Sequence, residues 1–253
     1  MMVSQKKNQN EIVPEKGFYF QADKHIYWLD GKRMTGVTTI LNSTLAKPAL
    51  INWASNMAVD YVKEHAKPSI DLHYDYTQLL AILEEARTAY AKKRDKAADT
   101  GTLAHAEVEK YIKTGNWTPT GNKQIDDMVM MFIVWAQKEK VKFLASEKVV
   151  WSRQNFYGGK FDFLCEIDGK TYLGDYKTSS GIYFEMFLQC AAYQLALEEQ
   201  EPETKIDGHI IVNTTKDGKF NVETHYDYEA TKEGFLSALK LYRLMNENEI
   251  SKK

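Results

Sequence analysis

The sequence predicts an α/β fold with a mainly helical N-terminal region. Three observations predict it. Apolar residues recur at helical spacing through much of residues 38–140. Runs with two-residue alternation dominate residues 146–177 and return at 205–214. Asp-Gly pairs at 168–169 and 217–218 mark tight hairpins between such runs.

Taken in order, residues 1–16 read as a loose leader. Phe18–Trp28 alternates around Ala22-Asp23-Lys24, a short hairpin, and Asp30-Gly31 is a turn. Thr38-Thr39 sit where a helix should begin. Pro48 opens a second helix to about Glu64, with Leu50, Trp53, Met57 and Tyr61 on one stripe, and Pro68 breaks it. Residues 75–95, 100–114 and 121–140 read as three more helices. Ser146–Trp151, Lys160–Ile167 and Thr171–Lys177 read as strands. Residues 183–199 form a helix that turns Phe184, Phe187, Leu188, Ala191, Ala192 and Leu195 to a core. Lys205–Thr214 is a strand, and a helix runs from about Glu229 to Glu247. The C-terminal half is thus β-β-β-α-β-β-α.

Composition removes several function classes. The 253 residues are 43% hydrophobic and 27% charged, an ordinary globular balance. Cys165 and Cys190 are the two cysteines, too few for a disulfide scaffold, a four-cysteine zinc site or a four-thiolate iron–sulfur cluster. No run of roughly 18 apolar residues is present to span a membrane. The first ten residues are polar and lack the apolar stretch of a secretory signal, so a reducing cytoplasm is the expected compartment. Net charge is -2, so a nucleic-acid site would need a local basic surface or a metal ion.

Four groups of residues carry possible chemistry. Asp175 and Lys177 are two apart on a strand and leave on one face. The same spacing at Asp30-Gly-Lys32, Asp168-Gly-Lys170 and Asp217-Gly-Lys219 falls in turns, so only 175–177 ends a strand. By itself it reads equally as a solvent-facing ion pair. Asp162 follows Gly158-Gly159 in an apolar frame, with Phe161, Phe163, Cys165 and Ile167 expected on the opposite face. A hairpin would bring Asp162 beside Asp175, a costly arrangement unless a cation or counter-ion joins it. Oxygen ligands suit Mg²⁺ or Mn²⁺. His105 and Glu109 share a helix face at i,i+4, behind Thr100-Gly101-Thr102, which also reads as a helix cap. Gln189 and Tyr193 form another i,i+4 pair.

In this order the motifs are Gly-Thr-x-x-His-x-x-x-Glu at 101–109, Gly-Gly-x-x-Asp at 158–162, Asp-Tyr-Lys-Thr at 175–178 and Gln-x-x-x-Tyr at 189–193. The set resembles the PD-(D/E)XK nuclease superfamily. Within it, the set is similar to the RecB-like exonuclease branch that includes the mitochondrial genome-maintenance exonuclease. The stretches at 36–42 and 47–53 look like the N-terminal region of phage and plasmid members. The resemblance implies a restriction-endonuclease-like core, a central mixed sheet flanked by helices, over residues 141–253. Residues 17–140 would pack with it as a hairpin and helical region. It implies a metal-dependent DNA exonuclease that leaves 5′-phosphate ends in replication, recombination or repair. The alternatives are a catalytically inactive DNA-binding protein of the same fold and a structure-selective endonuclease. His105, Asp162, Asp175 and the Tyr176 carbonyl would hold Mg²⁺ or Mn²⁺, with Glu109 in support. Lys177 would act on the attacking water and the phosphate. Gln189 and Tyr193 would shape the site and touch the strand. Glu147 falls where some relatives carry another acid. No iron–sulfur cluster fits two cysteines, and no Gly-x-x-x-x-Gly-Lys-Ser/Thr run is present for ATP. The partners implied are single-stranded DNA or duplex ends, with a recombinase or single-strand-binding protein as accessory. The setting implied is a bacterial cell or a phage-infected host.

Arg87, Lys92, Lys93, Arg94 and Lys96 precede the His105 helix. They read either as a solvated helix face or as a phosphate-contacting ridge. Tyr90, Trp151, Phe156 and Tyr157 are candidates to stack on unpaired bases.

Overall fold

A computed structural model describes residues 11–13, 17–66 and 75–250. In chain order its elements are β1 (Glu11–Val13), β2 (Phe18–Gln21), β3 (Ile26–Leu29), β4 (Lys32–Gly36), α1 (Val37–Thr44), α2 (Pro48–His65), α3 (Tyr76–Thr114), α4 (Lys123–Lys138), β5 (Lys142–Ser152), β6 (Tyr157–Ile167), β7 (Lys170–Lys177), α5 (Phe184–Gln200), β8 (Gly208–Thr214), β9 (Phe220–His225) and α6 (Tyr228–Ile250). The Pro68 break lies outside the described residues. The chain gathers into two compact units, residues 1–45 with 104–253, and residues 46–103.

The first unit is α/β, a mixed sheet flanked by helices. Nine strands pair among the described residues, in the order β1-β2-β3-β4-β6-β7-β8-β9, with β5 along the other edge of β6. Asp30 (φ 50) with Gly31 (φ 73), and Asp168 (φ 49) with Gly169 (φ 75), hold two left-handed residues in a row. That is the hairpin turn whose twist matches its strands. The β4–β6 and β7–β8 pairings are parallel, and the rest are antiparallel. The β7–β8 crossover runs through α5, as a parallel pairing requires.

Strand alternation sorts the core. Leu164, Leu173 and Ile211 pack with α1, α5 and α6. Phe163, Cys165, Tyr172, Tyr176, Ile210 and Val212 pack with α4 and the last turns of α3. Each fully buried large side chain contributes about 1.5–3 kcal/mol. One expectation fails here. Phe161 packs with Leu164 on the α5 side, while Phe163 and Cys165 pack on the α4 side, so β6 turns over at Asp162.

Other boundaries differ from the pattern-based reading. α1 begins at Val37, ahead of Thr38-Thr39. The helices expected at 75–95 and 100–114 are one helix, α3, so Thr100-Gly101-Thr102 is no cap. The Thr100 and Thr102 hydroxyls donate back to the carbonyls of Lys96 and Ala98, as hydroxyls inside a helix do. Phe184, expected in the core, is 59% exposed at the start of α5. Leu195 is half-buried.

In the second unit, α2 buries none of its residues. The Trp53 and Tyr90 rings meet edge-on at 6.4 Å. The α3 part of this unit carries local charge pairs: Arg87 with Glu84, Lys92 with Glu85, and Arg94 with Asp95. Among the described residues no ion pair engages Lys93 or Lys96. Among the described residues no helix is long and apolar enough to cross a membrane.

Candidate active site

The site begins where two strands separate. The β6–β7 ladder runs from Ile167↔Lys170 to Phe163↔Gly174 and ends there. β7 stays paired with β8 through Asp175↔Ile211, Tyr176↔Val212 and Lys177↔Asn213. So β7 leaves β6 one residue before Asp175. Asp162 fills the fork. Its Oδ2 accepts a hydrogen bond of 2.7 Å from the Tyr176 amide, replacing a ladder bond with a side-chain one. Gly174 makes the fork possible from below. The Phe163 ring lies where a side chain at 174 would stand, 2.0 Å from the position of a Cβ.

Two more elements close in. His105 of α3 sets Nδ1 3.4 Å from Asp162 Oδ2, and its ring meets Tyr176 edge-on at 4.9 Å. Lys177 Nζ lies 2.5 Å from Asp175 Oδ2. From α5, Gln189 Oε1 accepts from Lys177 Nζ at 3.4 Å, and Gln189 Nε2 donates to the Tyr193 hydroxyl at 2.6 Å. Gly159 lets Tyr193 in, since a Cβ there would stand 2.3 Å from its ring.

Burial governs the charges. It pushes Asp162 up to about 6, with Lys177 opposing. It pushes Asp175 up to about 6, again against Lys177. Burial holds His105 down at about 4, with the Lys177 charge acting the same way, so the imidazole is neutral at physiological pH. Burial opposes the Lys177 charge, but the Asp175 and Asp162 carboxylates outweigh it and raise its pKa above the ordinary lysine value.

The sequence-predicted residues therefore divide. His105, Asp162, Asp175, Tyr176, Lys177, Gln189 and Tyr193 meet at the fork. Glu109 lies one turn on from His105 and pairs with Lys113 along the helix. Trp151 and Tyr157 are core residues and offer no ring to a base. Trp151 stacks on Phe18 at 3.9 Å, and the Tyr157 hydroxyl donates to the Ala192 carbonyl. Pattern reading missed Lys160, which pairs with Glu147 at the edge of the fork. Its signal was the i,i+2 spacing from Asp162.

The donor chemistry fits a hard divalent cation. Two carboxylates, one buried and one half-buried, converge with a neutral imidazole, and Asp175 Oδ2 is buried without a well-formed hydrogen bond. As the side chains stand, Asp175 is closed on Lys177. Among the described residues no three His, Cys, Asp or Glu side chains are gathered closely enough to hold an ion.

No family model matches the chain, and no curated protein matches its sequence. Among solved structures, that of SSO0001 is similar in part, with 14% identity and a TM-score of 0.29. The match covers 48% of this chain and 62% of that one, less than two thirds of its length. At that score it carries no argument.

Proposed function

We propose that this protein is a metal-dependent DNA nuclease of PD-(D/E)XK type, acting as an exonuclease, and that its α/β unit is a restriction-endonuclease-like core. The observation that carries the reading is the fork. Two carboxylates on diverging strands, Asp175 buried and Asp162 half-buried, share it with one lysine, and a neutral histidine faces them. Such a group is costly to bury for structure alone. The order of elements supports the reading too. Three antiparallel strands are followed by a helix and a fourth strand parallel to the third, and β6, β7 and α5 carry Asp162, then Asp175 and Lys177, then Gln189 and Tyr193.

Asp162, Asp175, His105 and the Tyr176 carbonyl would hold Mg²⁺ or Mn²⁺. That ion supplies an acidified water and positive charge at the phosphate. The remaining work belongs to the chain. Lys177 keeps its proton and places a point charge at the phosphate, where charge develops. Gln189 fixes the direction of its ammonium group, and Tyr193 fixes Gln189. Asp162 holds the Tyr176 amide and so sets the turn of β7 that presents Asp175 and Lys177.

The test is a time course on end-labelled linear DNA, single- and double-stranded, beside a closed circle, in Mg²⁺, Mn²⁺ or EDTA. Wild type should degrade the linear DNA only with metal and leave 5′-phosphate ends. Asp175→Ala and Lys177→Ala should each lose at least about 100-fold in rate, the scale of one lost charge-stabilising group. Cleavage unchanged in Asp175→Ala, or none by folded wild type in either metal, sinks the reading. A nicked circle would make it an endonuclease.

A further inference from the structure

At the rim of the fork stands a second ion pair that the proposed chemistry leaves unused. Lys160 precedes Asp162 by two residues on β6 and pairs with Glu147 of β5. Glu147 is unusual. It lies opposite Asp162, between the registered pairs Ser146↔Phe163 and Lys148↔Phe161, yet its φ is 52. A glutamate in the left-handed region in mid-strand is unfavourable, and such residues persist where the surrounding structure imposes them. From that backbone its side chain pairs with Lys160, its diagonal neighbour across the β5–β6 ladder.

The pair sits between two features. On one side its charges act on Asp162 and His105. On the other, Lys160 acts on His25 and Glu147 acts on Tyr27. His25 and Tyr27 line a cavity of about 380 Å³, together with Arg33, Gly159 and Tyr193. That volume lies in the range of small-ligand sites. Tyr193 belongs to both places, since its hydroxyl is tied to Gln189 in the fork. The Lys160 side chain is 29% exposed and that of Glu147 only 15%, so solvent reaches the cation more than its anion.

We propose that Lys160 is a second phosphate-contacting residue, which grips the nucleic-acid backbone beside the bond cut at the fork, with Glu147 holding it in place until the strand arrives. The proposal rests on the nuclease reading and names a residue of the substrate-binding surface. Exchange of a carboxylate for a phosphate oxygen leaves the ammonium paired throughout, and the charge that loses its partner on binding is the Glu147 carboxylate. Release of Glu147 places its carboxylate near the phosphate, so the same residue weakens binding while it positions the lysine.

The two members of the pair therefore act in opposite directions on DNA, and a merely structural ion pair does not. The experiment measures the affinity of the full chain for a labelled oligonucleotide in EDTA, where no cleavage occurs, across a salt series. Lys160→Met should weaken binding about five- to eight-fold at 0.1 M salt. It should also lower the slope of log affinity against log salt by about 0.7–0.9, the signature of one lost phosphate contact. Lys160→Arg should keep the slope, and Glu147→Gln should bind DNA more tightly than wild type. An unchanged slope in Lys160→Met overturns the assignment, as does equal weakening by Lys160→Met and Glu147→Gln. If wild type binds no DNA at all, the nuclease reading falls with it. If wild type binds and cleaves while Lys160→Met is silent, only Lys160 falls. Thermal melts of all three variants separate loss of fold from loss of contact.

Discussion

Gly174→Ala is a sharp test of the fork. Nothing in the backbone demands glycine there, because residue 174 is absent from the left-handed positions of the chain. In a strand, alanine in place of glycine should stabilise by about 0.5–1 kcal/mol. Packing predicts the reverse. A Cβ at 174 would lie 2.0 Å from Phe163 Cε2 and 2.2 Å from Cζ. Carbon atoms in contact keep about 3.5–4.0 Å, so the ring must retreat by roughly 1.5 Å. It has no room to do so. Phe163 is fully buried, with Phe132, Trp135 and Phe143 around it at ring separations of 5.9, 6.4 and 5.7 Å. Overpacking typically costs about 1–3 kcal/mol, and a ring this enclosed puts the cost at about 2–3 kcal/mol. Urea unfolding, followed by tryptophan fluorescence, should show the midpoint fall at constant slope. The double variant Gly174→Ala, Phe163→Ala removes the obstacle. It should be about as stable as Phe163→Ala alone, a coupling of roughly 2–3 kcal/mol. A loss below about 1 kcal/mol in Gly174→Ala, or strictly additive single variants, would refute the steric account of the fork.

Two further outcomes follow from charge. His209 is buried with Nε2 2.7 Å from Gln194 Oε1, and burial holds its pKa at about 4 against an ordinary 6.5. As pH falls through 6.5 the unfolded chain takes the proton first, so this residue's contribution to stability declines by about 2 kcal/mol between pH 7 and pH 5. Asp162 and Asp175, pushed up to about 6, act in the opposite sense over this range. The readout is therefore the difference between wild type and His209→Gln, whose urea midpoint should gain on wild type as pH drops. Parallel pH curves would show that His209 titrates normally. On α3, Lys92 and Arg94 already carry carboxylate partners, whereas no ion pair engages Lys93 or Lys96 among the described residues. If the segment touches phosphates, Lys93→Glu with Lys96→Glu should weaken DNA binding and flatten its salt dependence more than Lys92→Glu does. Equal effects would remove the ridge from the binding surface.

Local rules reached most of the elements but not the arrangement of the site. The turns at Asp30-Gly31 and Asp168-Gly169 were legible because two left-handed residues in a row leave few residue types. Asp175 and Lys177 were legible as a same-face pair because strand alternation has a fixed period. The continuity of α3 was not. Gly101 looked like a boundary, but one glycine costs a helix only about 1 kcal/mol, which the packing of Ala104 and Val108 outweighs. The parallel pairing of Thr35 with Tyr157 was beyond reach, since no short-range pattern encodes a contact so distant in sequence. Nor could alternation show that β6 turns over at Asp162. The clue is a tertiary one, a phenylalanine ring seated over a glycine on the neighbouring strand.

The fork also shows why its charges are hard to explain as structure. With both carboxylates ionised, Lys177 charged and His105 neutral, one net negative charge remains in a largely desolvated space. Glu147 and Lys160 cancel each other beside it. The raised pKa values of Asp162 and Asp175 state the same imbalance in protons. A carboxyl group whose pKa is higher in the fold than in the unfolded chain favours folding while protonated, and that contribution is lost as pH rises through about 6. At neutral pH the site is thus held ionised at the expense of stability. A second lysine or an amide in place of one acid would relieve it, and neither is there. The Gln189 amide turns its oxygen to Lys177 and its nitrogen to the Tyr193 hydroxyl. The arrangement leaves a deficit of about one positive charge between Asp162 and Asp175, which a proton fills in acid and a divalent cation would overfill. The surplus would then face the mouth of the fork, where an anion such as a phosphodiester would meet it.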